Sequence, residues 1–132
     1  MKILIVDGDE SASGALITRL TGEGFAATNV TSGTKAIHSM LQDTPDLIIL
    51  ESNFVEEDPF SSAWDAFGII NWIKHTLPQA RIDIILYTTD RSARFLEHAQ
   101  SAGVLALLQK TGNFDELVTA VRIAMAQRGQ SN

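Results

Sequence analysis

Five short apolar runs, each ending in polar or charged residues, alternate along this chain with segments whose apolar positions recur every three to four residues. The runs cover residues 2–6, 25–31, 46–50, 83–88 and 104–108, and each is predicted to be a β-strand. The most continuous is Leu47-Ile48-Ile49-Leu50, four apolar residues in a row with two β-branched, which predicts a strand buried on both faces in the middle of a parallel sheet. The run over 25–31 is partly polar, as expected nearer an edge. Between the strands, Ala12, Leu16 and Leu20 put one apolar face on a helix over 11–21, with Ala15 and Arg19 beside it, and Gly22 and Gly24 stop it. Ala36, Ile37, Met40 and Leu41 do the same over 34–41, where Asp43-Thr44-Pro45 ends the helix. A third helix starts at Trp64 or Ala66 and runs through Leu77 on Ile69, Ile70, Ile73 and Leu77. A fourth, over 92–102, turns Phe95, Leu96 and Ala99 inward and is capped by Gly103. Asn113 has the spacing of an N-cap, with the acid Glu116 at N3, for a last helix facing the core with Leu117, Val121, Ala124 and Met125.

Five strand–helix alternations predict an α/β fold, a doubly wound five-stranded parallel sheet, in one domain over 1–127 with a polar tail or linker stub over 128–132. Residues 52–65 carry no period and include Glu56-Glu57-Asp58-Pro59, so a long loop is expected there. In open α/β sheets, recognition and chemistry sit at the C-terminal ends of the strands. Those ends carry Asp7 and Asp9 after the first strand, Glu51 after the third, Thr88 and Thr89 after the fourth, and Lys110 after the fifth. With strand order 2-1-3-4-5, Asp7 and Glu51 face each other across one crevice.

Composition narrows the choice of partner. The 132 residues include no cysteine, which removes disulfides and thiolate metal sites, and agrees with a reducing cytoplasm. The N-terminal apolar run is too short for a signal segment and no run approaches membrane-spanning length, so a cytoplasmic location is expected. Ten basic against sixteen acidic residues, a net charge of -6, with no basic cluster, disfavour direct contact with nucleic acid and favour a protein partner.

The stretches Ile3-Leu4-Ile5-Val6-Asp7, Pro45-Asp46-Leu47-Ile48-Ile49-Leu50, Ile84-Ile85-Leu86-Tyr87-Thr88, and Ala102-Gly103 through Lys110 resemble, in order and spacing, a response-regulator receiver domain of two-component signalling, over essentially the whole chain. The resemblance implies a flavodoxin-like (βα)5 fold in which a histidine kinase phosphorylates an Asp at the end of strand three. It also implies an acidic pair after strand one that holds Mg²⁺, a Thr or Ser after strand four and a Lys after strand five. Asp7, Thr88 and Lys110 match those positions, and Asn53 matches the place that gives a backbone carbonyl to the metal.

The departures carry more information. The acceptor position is Glu51, the second acidic position is Gly8, Leu107 stands where the family has an aromatic switch, Thr111 replaces a Pro, and the connection after Glu51 is longer. Phosphoryl transfer depends on in-line placement of the acceptor and on charge neutralisation. A Glu is one methylene longer and brings its carboxylate toward Thr88 and Lys110, into the space of a phosphate. A Mg²⁺ site of Asp7, Glu51 and Asn53, with Asp9 as the only replacement for the missing acid, should be weak or absent. The expectation is a pseudo-receiver: no cofactor or weakly bound Mg²⁺, no enzymatic activity, and Glu51 paired to Lys110. The resemblance places partner contacts (a histidine kinase, an output domain or another signalling protein) on the fourth helix, fifth strand and fifth helix, with Arg91, Arg94 and Arg122 as polar contacts.

Simpler roles compete with each of these. Lys110 could be a solvated strand-end lysine, Asp7 a charge at a helix N-terminus, and Thr88 a satisfied strand-end hydroxyl. Glu56-Glu57-Asp58 reads as a solvated loop face, and Phe54, Phe60, Trp64 and Phe67 either pack the loop onto the sheet edge or form a partner surface. His38, His75 and His98 fall on separate helices and do not suggest a metal cluster. Three further functions stay open: a conventional phosphorylated receiver with an altered pocket, a haloacid-dehalogenase-like phosphatase with Asp7 as nucleophile and Asp9 as acid, and an FMN or nucleotide binder. The last lacks a phosphate-cradling glycine pattern after strand one.

Overall fold

Each apolar run forms a strand, and each periodic segment a helix. The computed structural model describes residues 1–51 and 65–130. Its elements are β1 (Lys2–Val6), α1 (Glu10–Gly22), β2 (Ala26–Val30), α2 (Gly33–Gln42), β3 (Leu47–Leu50), α3 (Ala66–Thr76), β4 (Asp83–Thr88), α4 (Ala93–Ser101), β5 (Ala106–Gln109) and α5 (Asp115–Gln130). All strand pairs are parallel and the order is β2-β1-β3-β4-β5, the flavodoxin-like arrangement. Parallel neighbours need a crossover, and the helices supply it.

Alternation along the strands sorts the core into two layers. Ile3 and Ile5 of β1, Leu47 and Ile49 of β3, and Ile85 and Tyr87 of β4 pack with Leu16 and Leu20 of α1 and Leu117, Val118, Val121, Ala124 and Met125 of α5. Leu4, Val6, Ile48, Leu50, Ile84 and Leu86 face the other way, onto Ala36 and Met40, Ile69, Ile70 and Ile73, and Phe95 and Ala99 from α2, α3 and α4. Each fully buried Ile or Leu contributes roughly 1.5–3 kcal/mol relative to exposure. β3 is buried at all four positions, which fits its place at the centre, whereas β2 and β5 are edges.

Side chains fix where the helices start. Asp9, Ser32, Asp65 and Ser92 accept from the backbone N–H of Ala12, Lys35, Gly68 and Phe95, each three residues on, satisfying donors that have no partner within the helix. Asn113 does not take the same role: α5 begins at Asp115, and Asn113 Oδ1 accepts from Asp115 N at 2.9 Å in a turn just before it. The inward face of α1 is Ser13, Leu16 and Leu20, one step round from the expected Ala12. On α2, Met40 takes the buried position and Leu41 is exposed. β5 enters the ladder later than 104, because the chain first turns through Gly103 at φ +73°, a conformation in which any side chain is strained. The expected loop over 52–65 lies outside the described residues except for Asp65, the α3 cap; Phe54, Glu56, Glu57, Asp58, Phe60 and Trp64 are therefore outside too. Phe67 lies on α3 and stacks on His98 with ring centroids 3.7 Å apart.

The polar stretch after residue 127 is not a frayed tail where it begins. α5 continues through Gln130, and Arg128 reaches the start of β4 and the residue before β3. Its Nη1 donates to Arg81 O at 2.8 Å, and its Nη2 lies 3.1 Å from an Asp46 carboxylate oxygen, with Asp83 beside it. A guanidinium serving two carboxylates and a carbonyl is a planar, multiply bonded clasp that local sequence polarity does not reveal. Arg128→Ala should lower stability by about 2 kcal/mol in urea melts, and Arg128→Lys should restore less than half, since an ammonium cannot span the three acceptors.

Candidate functional site

The crevice at the C-terminal edge of the sheet is built by the alternation that sorts the core. Residues Ile5 and Asp7, Ile49 and Glu51, Tyr87 and Thr89, and Leu108 and Lys110 continue one strand face past the last apolar position, so the polar residues emerge on the side of α1 and α5. The backbone keeps the ladder going to those residues: Asp7 N donates to Val30 O at 3.1 Å, Glu51 N to Val6 O at 3.0 Å, and Lys110 N to Thr88 O at 2.8 Å. Asn29 Nδ2 ties the end of β1 to β2 by donating to Ile5 O, Asp7 O and Val30 O at 3.1–3.3 Å.

Lys110 bridges the two carboxylates expected to face each other. Its Nζ is 2.9 Å from Glu51 Oε2 and bonds Asp7 Oδ2, while Asp7 Oδ1 accepts from Asp9 N at 2.9 Å. The three side chains are only 17%, 13% and 11% exposed for Lys110, Glu51 and Asp7, so water screens the triad little. Burial alone would lower the Lys110 pKa, but the hydrogen bonds and charges of Asp7 and Glu51 outweigh it and hold the ammonium above its usual 10.5. Tyr87 lies below, with Lys110 Nζ 5.9 Å from its ring centroid. Burial raises the Tyr87 phenol pKa, with Lys110 opposing and the two carboxylates adding to the rise.

The other expected site residues are distributed differently. Thr88 is fully buried at the end of β4, with Oγ1 accepting from Asp90 N at 3.0 Å, and Thr89 is the hydroxyl that lines the crevice. Asp9 sits at the rim as the α1 cap. Asn53 lies outside the described residues. Leu107 is half-buried against the α3–α4 layer. Tyr87 and Ser13, which the sequence reading did not single out, also line the crevice. Tyr87 was legible, since it stands two residues before Thr89 on the same strand face; Ser13 was not, because the rotation of α1 is set by packing.

A divalent cation does not fit this donor set. Gly8 supplies no carboxylate, and Asp7 and Glu51 both already bond the ammonium placed between them. Octahedral Mg²⁺ would need those oxygens free and a further acid near them. Among the described residues, no group of three Asp, Glu or His side chains is arranged to hold a metal ion.

Known proteins similar to this chain in sequence or fold include the following. The chain is 27% identical over 122 residues to the DNA-binding transcriptional regulator NtrC of Klebsiella pneumoniae, an alignment covering 92% of this chain and 24% of that protein, so the chain spans about a quarter of its relative's length. A two-component response regulator from Clostridium difficile superposes with a TM-score of 0.83 at 22% identity, covering 97% of this chain and 98% of that one. The signal receiver domain of a Luxo repressor protein from Vibrio parahaemolyticus gives 0.81 at 21% identity, over 96% of this chain and 90% of that one. At such identities these two structures speak to the fold. Residues 3–122 match the response regulator receiver domain family itself, and the chain therefore belongs to that family, the receiver domains of two-component signalling.

Proposed function

We propose that this receiver is a pseudo-receiver, a protein-binding module whose crevice is not switched by phosphorylation. The observation that carries this reading is Lys110 bridging Asp7 and Glu51. A receiver that accepts a phosphoryl group needs its lysine for the arriving anion and its carboxylates for metal; here the three groups satisfy one another. The longer Glu51 side chain brings this pairing about. Transfer to Glu51 would require breaking the triad, with no second acid at position 8 to recruit a cation. Neither phosphatase nor nucleotide chemistry is favoured. Asp7 is held as an ion-pair partner of Lys110 instead of a free nucleophile, and the net negative charge of the triad, with Asp9 at the rim, disfavours a phosphate.

The partner contact is assigned to α4, β5 and α5. Among the described residues β5 pairs only with β4, while Leu105 and Ile123 expose apolar side chains and Arg94 of α4 is exposed. Arg91 is bonded to Gln109, and Arg122 to Glu23, the residue that caps the C-terminus of α1, which makes those two less available than Arg94. With Leu107 where an aromatic switch would sit, this face stays in one arrangement, and its occupant is a signalling protein of the cytoplasm such as a kinase or output domain. No helix among the described residues is long and apolar enough to cross a membrane.

Incubation with acetyl phosphate and Mg²⁺ followed by intact-mass measurement should give an unmodified chain. A stoichiometric phosphoryl adduct that disappears in Glu51→Gln would overturn the reading in favour of a conventional receiver.

A further inference from the structure

We propose that the crevice binds a small amphiphilic amine: an organic ammonium on an apolar, aromatic-sized body that carries a hydrogen-bonding group. This goes beyond the pseudo-receiver reading and stands or falls separately from it. The triad forms only the mouth of a cavity of about 440 Å³ that runs from the sheet edge along α1, bounded on the other side by the segment that precedes α5. That volume is in the range of small-molecule sites. The walls are apolar, from Ile5 and Ile49 on the sheet, Leu16 on α1 and Phe114 before α5.

Ser13 Oγ, on a residue 3% exposed, is buried on the lining without a hydrogen-bond partner, and the Tyr87 phenol, on a residue 4% exposed, lines the same cavity. Buried hydroxyls are ordinarily paired, and a side chain left unpaired at a cavity wall is free to bond what enters. The mouth determines the sign of the ligand: Asp7, Asp9 and Glu51 stand against Lys110 alone. The local charge is negative, which favours an ammonium and repels carboxylates and phosphates. Apolar walls with a few placed polar groups are the usual make-up of a site that orients an amphiphile.

Tyramine has the required parts, an ammonium, a ring and a hydroxyl, and serves as the probe; 3-(4-hydroxyphenyl)propionate has the same ring and hydroxyl with the opposite charge. Titrating the isotope-labelled chain with tyramine should give saturable amide shifts centred on Ser13, Leu16, Tyr87, Lys110 and Phe114. The propionate should give none. The paired substitution Ser13→Ala with Tyr87→Phe, which removes only hydroxyls, should weaken tyramine about tenfold with the chain still folded by circular dichroism. Absence of saturable shifts, equal binding of the anion, or unchanged affinity in the folded double variant would each overturn the proposal. A phosphoryl adduct on Glu51 would overturn the pseudo-receiver reading and leave this result as it stands.

Discussion

Lys110→Met should lower the free energy of unfolding by about 3 kcal/mol at neutral pH, the largest single-residue effect expected outside the apolar core. Methionine keeps most of the volume of the lysine stem, so the loss is electrostatic. It leaves Asp7 and Glu51, at the ends of adjacent strands β1 and β3, as two mostly buried carboxylates without a cation. Breaking a buried pair by removing one partner costs about 3–5 kcal/mol, and the low end applies because the triad retains some contact with water. Adding Glu51→Gln to Lys110→Met should return part of the loss, since it removes one of the two uncompensated charges, and a double-mutant cycle reads that coupling directly. The pH dependence has a defined sign. The folded-state pKa of Lys110 lies above the ordinary 10.5, so its stabilisation is fully present below 10.5 and is lost as pH rises through the higher folded value. Urea melts of the two proteins should therefore differ by a constant amount from neutral pH to about 10 and converge above that. A constant gap through the alkaline range would show that Lys110 acts by packing alone.

Restoring the two acidic positions should convert the crevice into a metal and phosphoryl site. Gly8 has room for a side chain: a Cβ there would lie 3.7 Å from Thr31 O, an ordinary contact, and its backbone is not in the left-handed region. Gly8→Asp combined with Glu51→Asp supplies the missing second carboxylate. It also shortens the acceptor by a methylene, drawing it back from Lys110 and opening space for a phosphoryl group. Mg²⁺ at ten times its dissociation constant should then stabilise the double variant by about 1.4 kcal/mol while leaving the parent chain unchanged. Acetyl phosphate should label it to near stoichiometry. Either single substitution should fall well short of this, because Gly8→Asp alone leaves Glu51 on Lys110 and Glu51→Asp alone leaves one acid short. If the double variant binds Mg²⁺ but takes no phosphoryl group, the obstacle lies in how the acceptor is aimed, not in the metal.

How much could be read in advance varied with the kind of interaction. Strand and helix existence followed from local periodicity: the predicted limits of β1 and β4 match the observed Lys2–Val6 and Asp83–Thr88, and the other limits fall within two residues except the end of α5, which runs on to Gln130. The Lys110–Glu51 pair was legible because two strand ends and a known strand order are enough to put an ammonium beside a carboxylate. Interactions that depend on helix rotation or on distant segments were not. Ser13 turns inward on α1 because Leu16 and Leu20 seat against β1 and β3, and no local pattern distinguishes that from the expected Ala12 face. Arg128 looked like tail polarity, yet it bonds residues 45 and 82 positions away.

The sequence by itself determined the order of elements, the parallel sheet and the presence of Asp7, Glu51 and Lys110 at one edge, because hydrophobic period and strand-end position are local properties written residue by residue. It also determined that Gly8 and Glu51 stand at the ends of the first and third strands. Only the tertiary structure decided that one ammonium serves both carboxylates. The same is true of Thr89 rather than Thr88 facing the crevice, and of the Ser13 hydroxyl left unpaired beside a cavity. Those outcomes depend on which face each strand turns to α1 and α5 once all five strands are in register, and distances between residues a hundred positions apart exist only after the sheet has formed.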